Sequence, residues 1–327
     1  MHILITGAAG MIGRKLTARL VADGTLSNRP IEQLTLLDMI APQCPDNSSA
    51  HVHRLVGDIA DAAVARAAIG GRPNVIFHLA AVVSGEAELD FEKGMHVNFD
   101  GSRALFEAAR AAGGGYRPRL VFSSSIAVFG APFPDAIPDE FFLTPLTSYG
   151  TQKAMIELLL SDYTRRGFLD GVGIRLPNIV VRPGKPNRAA SGFFSSIIRE
   201  PLNGEEAVLP VDENVRNWHA SPRAAVGFLL HAAALDGNEL GPRINLTMPG
   251  FCCTVGEQIA ALRRIAGDKV AARIRREPDP LIAGIVAGWP GRFDARRAGA
   301  LGFTAEPSFD AIIRAHIDDE LAGRFAA

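Results

Sequence analysis

The sequence predicts an α/β protein, a doubly wound parallel sheet with helices on both faces, followed by a smaller and mostly helical lobe. Three observations carry this. Through residues 1–182, short apolar runs alternate with longer stretches of helical spacing, the rhythm of strand–helix–strand units. The runs are continuously apolar, so both faces of each strand are covered, as in a parallel sheet. At residues 182–192 the Pro/Gly/Asn-rich "RPGKPNRAASG" interrupts the rhythm, and later elements are shorter and irregularly ordered.

In chain order, the strands are "HILIT", "LTLLD", "HRLVG", "NVIFHLA", "RLVFSS" and "VGIRLPNIV", each rich in Val, Ile, Leu or Phe. Helices fall on "MIGRKLTARLVADG" and "FDGSRALFEAARAAGGG". In the second, Leu105, Ala108 and Ala109 share one face, and Gly113 to Gly115 stop it. Residues 183–327 offer helices at "FFSSIIREPL", "SPRAAVGFLLHAAAL", "TVGEQIAALRRIAG" and "SFDAIIRAHIDDELAG", with one or two strands returning to the main sheet.

The 327 residues are 47% apolar and 21% charged, a balance that supports a sizeable core and argues against disorder. A formal net charge of −1 provides no general field for nucleic acid or anionic lipid, and neither partner is expected. Cys44, Cys252 and Cys253 are odd in number and two are adjacent, which suggests neither a disulfide framework nor a metal site. Such usage fits a reducing cytoplasm. A strand beginning at His2 leaves no room for a signal peptide, and "AVGFLLHAAAL" is too short to span a membrane.

The first strand runs into "TGAAGMIGRKL", which sets Gly7, Gly10 and Gly13 at a helix start. Glycines there permit a tight turn and a close approach of backbone to a pyrophosphate. The N–H groups around Met11 and Ile12, with the helix dipole, would hold it. Asp38, ending the next strand, suits the hydroxyls of an adenosine ribose and would repel a 2′-phosphate, which favours NAD over NADP; the alternative is an exposed acid at a strand end. Asp58, followed by Ile59, ends the third strand where an adenine amino group would lie. Leu79, Ala80 and Ala81 are small or apolar enough for a flat cofactor to rest on. Asn98 is either an ordinary polar helix residue or a side chain that organises the site by bonding backbone. Pro177 completes the cofactor contacts expected.

The chain has three tyrosines, and Tyr149 stands four residues before Lys153, just past the run Ser123–Ser125. Residues four apart share a helix face. A phenol titrating near ~10 is a poor base at neutral pH, but an ammonium and a nicotinamide cation beside it both favour the phenolate. With a serine to hydrogen-bond the substrate oxygen, these are the groups that pass a proton while hydride moves to a nicotinamide ring.

In this order and approximate spacing, TGAAGMIG, LLD, GDI, FHLAA, VNFDG, SSSIAVFG and YGTQK resemble the extended short-chain dehydrogenase/reductases, the superfamily of NAD-dependent nucleotide-sugar epimerases and dehydratases. "RNWHASPRAAV" and "GRFDARRAGALGF" extend the resemblance over nearly the whole chain. It implies a Rossmann NAD-binding domain over 1–182 and a substrate-binding lobe over 183–327. The catalytic serine maps onto Ser125, the base onto Tyr149, its helper onto Lys153 and the structural asparagine onto Asn98. It also implies a homodimer, since the tyrosine helix commonly packs on a second subunit. Here Met155, Ile156, Leu158, Leu159 and Leu160 cover more than one core stripe, which burial within one large subunit also explains.

Dehydratases carry an Asp-Glu pair after the serine, where this chain has Ile126 and Ala127. Epimerases usually carry "RxxNVYGP", where it has "RLPNIVVRPGKPN". The segments "AAVVSGEAELDFEKGM", "RLPNIVVRPGKPNRAASGF" and "NWHASPRAAVGF" instead resemble the branch of D-erythronate dehydrogenases, which oxidise a small 2-hydroxy acid. Ser84 and Glu86 on one loop, and Arg182, Lys185, Asn187, Arg216 and His219 on others, are the candidate contacts to such an acid. Arg216 is the expected carboxylate anchor, because "RNW" stands where related epimerases carry an arginine that holds a diphosphate. A nucleotide-sugar epimerase using the same serine, tyrosine and lysine is the alternative. A non-catalytic NAD-binding regulator is the remote one.

Overall fold

The computed structural model describes residues 1–184 and 190–326, so Lys185 and Asn187 lie outside the described residues. The principal elements begin β1 (His2–Thr6), α1 (Met11–Asp23), β2 (Gln33–Asp38), β3 (His51–Val56), α2 (Ala62–Ile69), β4 (Val75–His78), α3 (Gly101–Ala111) and β5 (Arg119–Ser125). They continue with α4 (Ser148–Arg165), β6 (Asp170–Leu176), β7 (Asn178–Ile179), α5 (Phe193–Leu202), β8 (Arg216–Ala220) and α6 (Pro222–Ala234). The last are β9 (Asn245–Thr247), β10 (Phe251–Thr254), α7 (Val255–Ala266) and α8 (Phe309–Glu320).

Seven strands form the main sheet in the order β9-β6-β5-β4-β1-β2-β3, a doubly wound α/β arrangement. β1 pairs in parallel with β2 on one side (Ile5↔Leu36) and with β4 on the other (Ile5↔Phe77). The chain thus winds outward through β2 and β3, then returns across β1 to wind the other way. That reversal opens a crevice at the carboxyl ends of β1 and β4, where Thr6, Asp38, His78 and Ser125 end their strands.

All five residues of β1 and all four of β4 are buried, as their continuous apolar runs predict. β3 departs from that expectation. It is the edge strand, four of its six residues are exposed, and Val56 is 60% exposed. The run "VGIRLPNIV" also departs, dividing at Pro177. Proline has no N–H to offer a ladder, so β6 ends before it in the main sheet and β7 begins after it in another. There β7 pairs in parallel with β8 (Asn178↔His219), and β10 runs antiparallel to β8 (Trp218↔Cys252).

The chain forms two compact units. The first comprises Met1–Val128, Pro145–Arg175 and Val226–Leu246, and the second Phe129–Thr144, Leu176–Ala225 and Thr247–Ala327. It passes between them more often than a single boundary at residue 182 describes. The second unit has its own core, in which Phe194, Ile197, Val255, Ile259, Leu262 and Ile313 of α5, α7 and α8 are almost wholly enclosed. A capping box of Thr254 and Glu257 starts α7. In the first unit, α4 turns Ile156 and Leu160 fully inward, while Leu158 is 67% exposed and Met155 and Leu159 are half-buried.

The start of α4 comes unusually close to the segment after β5. Thr147 caps it by accepting from the Gly150 N–H at 3.1 Å, and a Cβ on Gly150 would stand 2.1 Å from the Ala127 carbonyl oxygen. Only glycine permits this approach, which brings the serine run and the tyrosine helix together. Among the described residues no helix is long and apolar enough to cross a membrane.

Candidate active site

The glycine turn is built for contact with backbone. Gly7 has φ +72°, and a Cβ there would sit 2.6 Å from the Ala80 nitrogen; one on Gly13 would sit 2.2 Å from the Gly7 carbonyl oxygen. α1 begins at Gly10 with no side-chain cap and no acid in its first turn. Its leading N–H groups, at Met11, Ile12 and Gly13, therefore lack side-chain partners, and an anion at the helix start would satisfy them.

Asp38 lies beside this turn because β2 neighbours β1. Its Oδ2 accepts the Ala9 N–H at 2.9 Å, which aims the carboxylate along the loop and leaves other lone pairs for a ribose. Asp58 accepts the Ala60 N–H at 2.9 Å through Oδ1 and meets His96 Nε2 at 2.8 Å through Oδ2; Ile59 beside it is buried. The Leu79 N–H bonds to the Thr6 carbonyl at 3.1 Å, which lays Leu79, Ala80 and Ala81 along the glycine turn.

Asn98 lies on a π-helical turn, Met95–Asp100, and is 3% exposed. Its side-chain oxygen accepts the Val82 N–H at 2.8 Å, and its amide donates to the Val82 carbonyl at 3.1 Å and to Gln152 Oε1 at 2.7 Å. It thereby ties the segment after β4 to α4.

The three serines differ in direction and in hydrogen bonding. Ser123 and Ser125 point to one side of β5 and Ser124 to the other. Ser123 Oγ is spent on the His78 carbonyl at 3.0 Å, and Ser124 Oγ on Glu157 at 2.6 Å. Ser125 Oγ accepts only from the nearby Ala127 N–H at 3.1 Å, which leaves its own proton to donate. On α4, the Lys153 ammonium donates to the Ser123 carbonyl at 2.7 Å and lies 5.6 Å from the centre of the Tyr149 ring. Lys153 is 3% exposed; burial lowers its pKa to about 7, against the opposing pull of the Glu157 charge. His78 joins Thr6 Oγ1 at 2.7 Å and Ser102 Oγ at 2.8 Å, and burial lowers its pKa to about 3, so it is neutral.

The substrate candidates meet different fates. Ser84 starts a short helix, Ser84–Leu89, and is half-buried, whereas Glu86 pairs with Lys93 at 2.6 Å. In the second unit, Pro177 is buried between β6 and β7. His219 is wholly enclosed by the core, with Gln258 Nε2 at 2.8 Å and the Phe194 and Phe309 rings at 5.1 and 5.5 Å, so no face of it is open to a small molecule. Arg182 holds its own loop, donating to the Ile179 carbonyl, Asn178 Oδ1 and Ser191 Oγ. Arg216 is exposed and lines a cleft of about 400 Å³ with Trp218, Phe251, Cys252, Glu257, Arg292 and Phe293.

Three residues of these assemblies were not singled out from the sequence. Gln152 and Glu157 sit on α4 as polar residues at buried helical positions, a signal that periodicity does contain. Arg292 lies within "GRFDARRAGALGF", quoted above for resemblance alone, and only the fold brings it to Arg216.

Residues 3–246 match the model of the NAD dependent epimerase/dehydratase family. The chain belongs to that family. NAD is therefore its cofactor, and the uncapped helix start, the glycine turn and Asp38 fit it. Among relatives, the D-erythronate dehydrogenase of Cupriavidus necator is 50% identical over 323 residues, 98% of each chain. That of Haemophilus influenzae is 40% identical over 321 residues, covering 98% of this chain and all of its own. A crystal structure of the nucleoside-diphosphate-sugar epimerase from Agrobacterium tumefaciens superposes with a TM-score of 0.97 at 62% identity, covering 99% of this chain and 95% of that one.

Two predictions follow the geometry of this family member. Asp38 should give NAD⁺ a higher kcat/KM than NADP⁺, and Asp38→Ser should narrow the gap; equal efficiency in the parent enzyme would refute the assignment. The second concerns stability. Lys153 titrates at about 7 when folded against 10.5 as an ordinary lysine, so between these values the unfolded chain binds more protons and stability rises with pH. Below about 7 the cost of burying the charge is fully present. Lys153→Met should therefore show a shallower gain in unfolding free energy than the parent between pH 7 and about 9, measured by urea denaturation; an identical slope would refute it.

Proposed function

We propose that this family member oxidises the C2 hydroxyl of a small sugar acid, D-erythronate or a similar 2-hydroxy acid, to the 2-oxo acid. The observation that carries the reading is the enclosed lysine beside Tyr149, with Ser125 presented from β5. When bound, NAD⁺ supplies the hydride acceptor. Tyr149 takes the hydroxyl proton, Ser125 donates a hydrogen bond to the same oxygen, and Lys153 favours the phenolate through its charge. Its low-dielectric surroundings strengthen that effect. The C2 hydrogen departs with the C–H electron pair as hydride, the O–H proton passes to the phenolate, and the O–H electron pair forms the C=O bond, so charge and electrons balance.

The acid class is supported by the two D-erythronate dehydrogenases that match nearly end to end. It is also supported by Arg216, an exposed guanidinium in a cleft with a second arginine, where a planar fork suits two carboxylate oxygens. The second reading, a nucleotide-sugar epimerase, draws on the structure from Agrobacterium tumefaciens and uses the same proton relay. Sugar acids and nucleotide sugars offered separately with NAD⁺ separate the two. Steady NADH formation with D-erythronate sustains the first, and epimerised sugar without net NADH sustains the second.

Tyr149→Phe should lower turnover by at least ~10²-fold and leave NAD⁺ affinity nearly unchanged, measured by steady-state kinetics and cofactor titration. Near-normal turnover would mean that the proton leaves by another route. Arg216→Met should raise KM for the hydroxy acid roughly 10- to 100-fold, the effect of one charged hydrogen-bond pair, with KM for NAD⁺ little altered. Measuring Arg182→Met in parallel tests the choice of anchor, which an unmoved KM in Arg216→Met would overturn.

A further inference from the structure

A buried acid behind the serine run has no part in the reading above. Glu157 lies one helical turn beyond Lys153 on α4 and is 1% exposed. Its Oε1 accepts the Ser124 hydroxyl at 2.6 Å. Arg175 of β6 closes on both its oxygens, Nε at 2.9 and 3.1 Å and Nη2 at 2.7 Å. An ion pair so enclosed is a weak source of stability, because desolvation offsets much of its attraction. Its place in the structure suggests another use.

Ser124 stands between Ser123, whose carbonyl holds the Lys153 ammonium, and Ser125. Two successive residues of β5 are thus tied to α4 by two residues one turn apart. Ser123 is held by Lys153 and Ser124 by Glu157, so the next residue, Ser125, has little freedom to slide relative to Tyr149. Among the described residues, the ionisable groups around this junction are Lys153 and Tyr149 on α4, Arg175 on β6 and His78 on β4. His78 is neutral, since burial lowers its pKa to about 3. Glu157 raises the Lys153 pKa against the larger effect of burial.

We propose that Glu157 is a positioning residue for the redox step: it pins the serine strand to the tyrosine helix and supplies a counter-charge to the Lys153 ammonium. The proposal rests on the reading that Ser125, Tyr149 and Lys153 carry the reaction, but part of it is open to measurement without substrate. The chain has only five lysines, Lys15, Lys93, Lys153, Lys185 and Lys269. Carbon-13 labelling of lysine in the full-length enzyme lets each be titrated by NMR, with Lys153→Arg assigning the signal of interest. Glu157→Gln should lower the Lys153 midpoint by about one pH unit, because the charged form loses its attracting neighbour. Glu157→Asp should restore the midpoint.

Ser124→Ala leaves the ion pair in place, so it should keep the midpoint while turnover falls by roughly tenfold from lost alignment. Should Glu157→Gln fail to fold, the double variant Glu157→Gln/Arg175→Met removes both charges, and its midpoint should still fall. An unmoved midpoint in either folded variant overturns the electrostatic role, and normal turnover in Ser124→Ala overturns the pinning role. If Tyr149→Phe retained turnover, the catalytic reading would fail by itself, with the titration result still standing.

Discussion

The structure of the first unit depends on burying one ammonium group. Lys153 is enclosed at the junction of β5 and α4, where water does not compensate its charge, and its ammonium donates to the Ser123 carbonyl at 2.7 Å. An unpaired buried charge is costly, so the surroundings must be arranged to tolerate it. Phe122 and Tyr149 present ring faces at 4.7 and 5.6 Å, and Glu157 lies one turn away. Gly150 lets the helix approach closely enough for these contacts. Among the described residues the lysine is a cation beside the phenol ring, and burial lowers its pKa to about 7.

A second constraint comes from the direction of the chain. Because β1 pairs with β2 on one side and β4 on the other, the loops after these strands diverge and leave open ground between them. The glycine turn fills the near side of that ground. Gly7 packs against Ala80 and Gly13 against Gly7, so the helix start is pressed toward the sheet with its N–H groups outward. Asp38 is then directed by a bond from the turn itself, the Ala9 N–H. The ground for NAD is thus prepared by backbone geometry, with the Asp38 carboxylate held beside it.

The proposed set of Ser125, Tyr149 and Lys153 serves a dehydrogenase and an epimerase alike, so it does not choose between them. Three of the residues proposed to meet the substrate belong to the second unit. There the candidates sort by availability: His219 is in the core, Arg182 is occupied by its own loop, and Arg216 is exposed in a cleft beside Arg292. An exposed guanidinium has hydrogen bonds to give, whereas a buried neutral imidazole has none for a small acid.

The sequence by itself determined the strand–helix rhythm, the glycine turn, Asp38 at a strand end and the Tyr149–Lys153 pair, because each is a local pattern whose spacing is a property of one element. It also proposed Ser125, on resemblance; which hydroxyls of the run are already bonded, Ser123 to His78 and Ser124 to Glu157, is visible only in the structure. Tertiary structure alone decided what depends on distant neighbours. That β3 is an edge strand follows from its having only β2 beside it, and that "VGIRLPNIV" divides follows from Pro177 facing a ladder it cannot join. His219 reads as polar in sequence, yet it is enclosed because β8 pairs between β7 and β10 and turns the ring against Phe194 and Phe309. Glu157 and Arg175 are eighteen residues apart and unremarkable in a line of text. Their meeting behind Ser124 requires β5, β6 and α4 to be packed together, since burial is a property of the assembled layers and of no single segment.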